Sequence, residues 1–174
     1  MQRIITLTVQ NRSGVLNRVT GMLYRRQFNI ESISVGATET KGISKITLVV
    51  EVSDPRKIEQ LTKQLNKQID VIKVSDITDK ATVARELALI KVSSSPQLNS
   101  EIQGLIQPFR ASVIDISKGS ITIQVTGKPD KTEALIALLR PYGIKEIAKT
   151  GVTAFLRGQQ PQEGASAENT LFSV

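Results

Sequence analysis

Apolar and polar residues alternate over residues 3–10 (RIITLTVQ), with Ile5, Leu7 and Val9 on one face and Thr6, Thr8 and Gln10 on the other. That period of two predicts a strand. After the polar stretch NRSG, Val15, Leu16, Val19, Met22 and Leu23 recur at helical spacing and predict an amphipathic helix. Phe28-Asn29 leads into a second strand carrying Ile33 and Val35, TETKG has turn chemistry, and residues 44–53 align Ile46, Leu48, Val50 and Val52 as a third strand. Asp54-Pro55 predicts a helix start, a carboxylate cap followed by proline at the first helical position. Ile58, Leu61 and Leu65 mark that helix, and residues 69–77 (IDVIKVSDI) a fourth strand. The order is βαββαβ.

The rest of the chain repeats it. Residues 86–93 predict a strand through Leu87 and Leu89, and Leu98, Ile102, Leu105, Ile106 and Phe109 share a helical face. Two strands follow, one with Val113 and the other with Ile121, Ile123 and Val125, joined at Lys118-Gly119. Asp130 is the expected cap of a helix bearing Leu135, Leu138 and Leu139, closed by Pro141 and Gly143. IKEIAKTGVTAFL reads as one last strand. The predicted class is therefore α+β, with two tandem ferredoxin-like βαββαβ units. The expected boundaries are 1–79 and 84–158, with a linker near Asp79–Ala84 and a polar, flexible tail over 159–174.

A unit of this kind covers one sheet face with two helices and leaves the other to water, a ligand or a partner. Aliphatic residues stand on both parities of several strands (Ile4 beside Ile5, Val49 beside Val50, Val71 beside Ile72). The second face is thus expected to be covered, most simply by another copy of the chain.

Composition narrows the chemistry. The 174 residues include no Cys, His or Trp. There is accordingly no thiolate nucleophile, imidazole base or Cys/His metal site. Lys and Arg exceed Asp and Glu by 23 to 16, a net charge of +7, but the excess is spread along the chain and no basic run is longer than two. Such a spread fits a solvated surface better than a nucleic-acid patch. The longest apolar run, Ala134–Leu139, falls far short of the roughly 20 residues that cross a bilayer. Strand patterning begins at position 3, which argues against a signal peptide. A cytoplasmic chain without membrane or nucleic-acid partners is expected.

The sharpest local chemistry is Gln10-Asn11-Arg12-Ser13-Gly14-Val15-Leu16, between the first strand and first helix. Helix-initial N–H groups lack internal partners and carry partial positive charge. Gly14 lets a ligand approach the main chain, and Asn11 offers both a donor and an acceptor. The stretch suits a carboxylate or a phosphate. Taken alone it reads first as a tight strand-to-helix turn.

The opening ITLTVQNRSGVLNRVTGMLYRRQFNIESISVGATE resembles the ACT domain of the acetolactate synthase (acetohydroxyacid synthase) small regulatory subunits. The likeness continues in order through KITLVV, QLTKQLNKQIDVIKV, RELALIKV, IQPFRASVIDIS and ALLRPYGIKEIAKTGVTAFLRG, about residues 1–158. The resemblance implies a non-catalytic chain that activates a separate catalytic subunit and confers feedback inhibition by a branched-chain amino acid, usually valine. Thiamine diphosphate, Mg and FAD are then expected on the catalytic partner and no cofactor on this chain. It further implies a homodimer through the ACT domain, with the effector between paired domains. Asn11 and the amides of Gly14, Val15 and Leu16 would receive the effector carboxylate. Asn29 and the backbone at Ile30 of the neighbouring protomer would receive its amino group, with Val35 a weaker candidate for side-chain contact. The second unit lacks an Asn-x-x-Gly loop, its helix following SSSPQLN, so one class of site is expected. Arg12 and Arg18 read as solvated or partner-facing. Arg110 and Arg140-Pro141-Tyr142-Gly143 read as a contact surface or a helix terminus.

Two other functions fit a ferredoxin-like unit. An RNA-binding sheet would present stacking aromatics, which RIITLTVQ and KITLVVEV do not contain. An acylphosphatase-like hydrolase would use Arg12 and an Asn in a phosphate cradle, but VQNRSGV matches such a loop only loosely and leaves the second unit unexplained.

Overall fold

The computed structural model describes residues 1–158; the stretch expected to form a flexible tail lies outside the described residues. In the first unit β1 (Gln2–Gln10), α1 (Val15–Arg25), β2 (Asn29–Ala37), β3 (Ile43–Glu51), α2 (Pro55–Asn66) and β4 (Val71–Asp76) follow one another. Its antiparallel sheet runs β2-β3-β1-β4. The second unit has β5 (Thr82–Ser93), α3 (Pro96–Ile106), β6 (Ser112–Ser117), β7 (Ser120–Gly127), α4 (Pro129–Leu139) and β8 (Ile144–Lys149), in the matching order β6-β7-β5-β8. A short strand, β9 (Thr153–Leu156), pairs with β5. The two ferredoxin-like units are those that the periodicity predicts.

Each unit buries one sheet face under its helices. In the first, Ile5, Leu7 and Val9 of β1 and Ile46, Leu48 and Val50 of β3 meet Val15, Val19, Met22 and Leu23 of α1 and Ile58, Leu61 and Leu65 of α2. Full burial of an aliphatic side chain of this size contributes about 1.5–3 kcal/mol, so one such stripe is enough to hold each helix on its sheet. The Asp54 carboxylate accepts from the Arg56 amide at 2.9 Å, confirming the expected cap of α2.

The second core is formed by Ala88, Ile90 and Val92 with Ile121, Ile123, Val125, Ile102, Ile106, Leu135, Ile136 and Leu139. Its details correct the sequence reading in three places. The buried parity of β5 is Ala88, Ile90 and Val92, while Leu87 and Leu89 stand half-buried on the opposite face. Helix α4 is capped at Lys128 rather than Asp130, because Pro129 takes the first helical position and puts Asp130 inside the first turn. Leu138 is 46% exposed, its place on the core face taken by Ile136. At the C-terminal end Arg140–Tyr142 forms a 3-10 turn closed by left-handed Gly143, and the Tyr142 hydroxyl donates to Glu101 at 2.6 Å. Helix termination accounts for that segment.

The largest departure lies at the junction of the units. β5 begins at Thr82, inside the stretch expected to be a linker, because Thr82–Arg85 pairs with Leu156–Thr153. The run read as a single last strand is bent into β8 and β9. From Lys149 to Thr153 it advances four residues while its partner advances three, from Ala88 to Arg85. The extra residue and the positive φ of Gly151 (76°) kink the strand like a bulge. The kink lays Val152 and Ala154 with Ala84 onto Ile4, Val49 and Ile77 of the first unit. The second sheet face of the first unit is thus covered in part by the chain's own C-terminal ribbon, where a second copy had been expected. The Val152 amide donates to Ser32 Oγ at 3.3 Å, and the Ser34 and Thr153 hydroxyls share a hydrogen bond at 3.1 Å.

Candidate functional site

The loop after β1 is fixed from both sides. The Asn11 amide donates to the Gly42 carbonyl at 2.8 Å, and the Arg12 amide to the Gln10 carbonyl at 2.9 Å. Gly14 then serves as N-cap of α1 with φ 83° and ψ −3°, and no side chain caps the helix. A Cβ there would meet only the Arg18 guanidinium, at 3.5 Å. The left-handed backbone, rather than crowding, is therefore what reserves the position for glycine. The Val15 amide is already engaged with the Arg12 carbonyl at 3.3 Å, whereas no partner among the described residues accepts from the amides of Gly14 and Leu16. Of the amides implied by the resemblance, those two are left without an acceptor among the described residues.

Beneath the loop lies a residue that the sequence reading did not single out. Asp70 is a buried carboxylate, and its main-chain carbonyl accepts from the Gln10 amide at 2.9 Å. Its side chain pairs with Arg18 and, at 3.7 Å, with Arg12. The two arginines are thus directed to Asp70 rather than standing free, and they surround the loop with positive charge while neutralising the acid beneath it. The sequence pattern puts Asp70 inside the fourth strand, which begins only at Val71, and nothing local shows that the fold carries it under the first loop.

Asn29 and Ile30 open β2 at the other end of the sheet. Gln10, next to Asn11, pairs with Ile43, while Asn29 pairs with Glu51 at the far end of the same strand. Eight residues of β3 at about 3.3 Å each separate the two positions by roughly 26 Å. A single chain therefore does not bring Asn11 and Asn29 together. Val35 sits farther along β2, 49% exposed. β2 is an edge strand, its outer row of backbone groups unpaired among the described residues.

At the opposite end of β1, Arg3 donates to the Asp76 carboxylate at 2.6 and 3.0 Å and to Asp79 at 2.7 Å. Burial pushes the Asp76 carboxyl up, but hydrogen bonds from the Thr78 hydroxyl and amide, and then Arg3, outweigh it and hold the group below the usual carboxylate range. Among the described residues no group of three or more acidic side chains is placed to hold a metal ion, and no helix is long and apolar enough to cross a membrane.

Comparison with known proteins is unambiguous. A family described as "AHAS small subunit-like ACT domain" matches residues 5–73, and one described as "Small subunit of acetolactate synthase" matches residues 85–158. The chain is 64% identical to the acetolactate synthase small subunit of Bacillus subtilis (strain 168) over 174 residues, covering 100% of each protein. The chain belongs to the acetolactate synthase small-subunit family. A probable small subunit of the same name from Archaeoglobus fulgidus is 49% identical over 160 residues, which cover 92% of this chain and 99% of that protein. The crystal structure of the acetolactate synthase small subunit from Thermotoga maritima superposes with a TM-score of 0.82 at 38% identity, over 92% of this chain and 99% of that one. The two matched regions fall on the two units, so the small-subunit family and the tandem fold are established together.

Proposed function

We propose that this chain is the regulatory subunit of acetolactate synthase, activating a catalytic subunit and conferring feedback inhibition by a branched-chain amino acid, valine first. The observation that carries this reading is a helix N-terminus that no side chain caps, in a unit matching the small-subunit ACT family. The amides of Gly14 and Leu16, with Asn11, offer donors to the effector carboxylate, and Arg12 and Arg18 add positive charge nearby. An amino acid also needs acceptors for its ammonium, which Asn29 and the carbonyl of Ile30 supply. Because Asn11 and Asn29 stand at opposite ends of one sheet, the complete site requires a second protomer. The open edge of β2 supports a homodimer joined by strand pairing.

The chain has no role in the chemical step on this reading. Thiamine diphosphate, Mg and FAD belong to the catalytic partner. The same reading puts the chain in the cytoplasm and divides it into an effector-binding unit over 1–79 and a second unit that starts with β5 at Thr82 and runs to 158. What the effector changes is the equilibrium between two arrangements of the assembly, and it does so only as far as it binds one arrangement more tightly.

Calorimetric titration with valine, leucine and isoleucine, with and without the catalytic subunit, tests the effector claim. Saturable binding is expected, with differences among the three of about 1–3 kcal/mol at most, because they differ by one methylene or its placement. Activation is checked by mixing the chain with the catalytic subunit and measuring acetolactate formation. An unchanged rate under conditions where the two bind would reject it.

A further inference from the structure

A cleft of about 540 Å³ opens where the two units meet, away from the Gly14 loop. Its walls come from both: Gln2, Ile4, Ser32 and Val49 from the first unit, Lys149 and Val152 from the second. Glu86 lines it with a side chain only 5% exposed, and its Oε1 makes no hydrogen bond among the described residues. A buried carboxylate oxygen left without a donor is costly, and such atoms commonly mark a site completed by something else. The one charged partner of Glu86 is Lys149 Nζ, in a long ion pair at 3.6 Å that the same ammonium shares with Glu133, too far for a hydrogen bond. Glu31, Asp130 and Glu133 stand exposed at the rim, so the cleft holds four carboxylates against one lysine in a chain whose net charge is +7. Between floor and rim the wall is aliphatic, formed by Ile4, Ile33, Val49 and Val152.

We propose that this inter-unit cleft binds an aliphatic di- or polyamine, with one ammonium donating to Glu86 Oε1 at the floor. The methylene chain lies along Ile4, Ile33, Val49 and Val152, and a second ammonium reaches the rim, where Glu31, Asp130 and Glu133 contribute negative charge without converging on one point. The division into acidic floor, apolar wall and acidic rim selects this class over a metal ion, for which no group of three acidic ligands converges among the described residues. Because the walls come from both units, an occupant ties them together. The inference does not depend on the effector reading.

Spermidine and putrescine titrated calorimetrically into the full chain at physiological ionic strength test it. Saturable binding at one site per chain is expected, with a rise in melting temperature that follows occupancy. Glu86→Gln, which keeps the shape of the side chain and an acceptor oxygen, should weaken spermidine binding about tenfold or more, since the acceptor loses its charge. Asp130→Asn combined with Glu133→Gln should weaken it severalfold, about what exposed charges contribute. That exposed double variant decides the matter if Glu86→Gln does not fold. Butylamine should bind more weakly than putrescine. Non-saturable heats, equal binding by folded variants and the unaltered chain, or butylamine matching putrescine would each overturn the proposal.

Discussion

The two units share one fold but treat the start of their first helices in opposite ways. In the second, Ser95 caps α3 by accepting from the Leu98 amide at 3.4 Å, and Pro96 removes another donor by having no N–H. The chain satisfies its own helix end there. In the first, Gly14 caps α1 with a backbone alone, and nothing in the described chain takes up the amides of Gly14 and Leu16. A repeated architecture can thus differ by one turn: a side-chain cap satisfies the helix end in the second unit, and a left-handed glycine leaves it open in the first.

The most severe way to break that contrast is Gly14→Asp. A carboxylate beside these amides should reduce branched-chain amino acid affinity by about 100-fold or more, read by calorimetry, since it opposes the effector's own charge. The backbone at φ 83° adds strain of about 1 kcal/mol, too little to unfold the chain. Unchanged valine affinity in a folded Gly14→Asp variant would remove the loop from the site.

Asp70→Asn comes next. Losing the buried carboxylate releases Arg12 and Arg18 and should cost about 2 kcal/mol in chemical denaturation, less than a fully buried pair because both arginines reach water. Ser95→Ala should cost about 1 kcal/mol, measured the same way, and leave effector affinity unchanged. If it altered that affinity, the division of labour between the units would not stand.

The smallest expected effect is one of pH. Asp76 has a folded pKa below its unfolded value near 3.9, so its contribution is fully present above that value and is lost as pH falls through the lower folded one. Hydrogen exchange should show the amides of Ile77 and Thr78 losing protection as pH drops below about 4, while those around Ser95, held by hydroxyls, keep theirs. Asp76→Asn should flatten the response.

Sequence legibility followed the range of the forces involved. Strands β1 and β3 and helices α1 and α2 were plain, because one-sided burial imposes its period on neighbouring residues. The parity of β5 was not. Leu87 and Leu89 outweigh Ala88 by hydrophobicity, yet close packing beneath α4 leaves room for the smaller set. The break at Gly151 was hidden because apolar residues occur on both sides of it, and the residue that crowds the kink, Ser32 at 3.1 Å from where a Cβ would lie, is distant in sequence. At the site, Asn11 and Gly14 were readable from local turn chemistry. Asp70 was not, since only the finished sheet sets it beneath the loop.

The seam formed by Ile4, Val49 and Val152 carries a consequence for biosynthesis. β9 is the last described strand to leave the ribosome, and the first unit's sheet has long been complete by then. Until Val152 and Ala154 arrive, Ile4 and Val49 lack the two side chains that complete their cover. Shielding of the earliest strand therefore waits on nearly the final described residues, and chains halted before Thr153 should be the ones that chaperones retain.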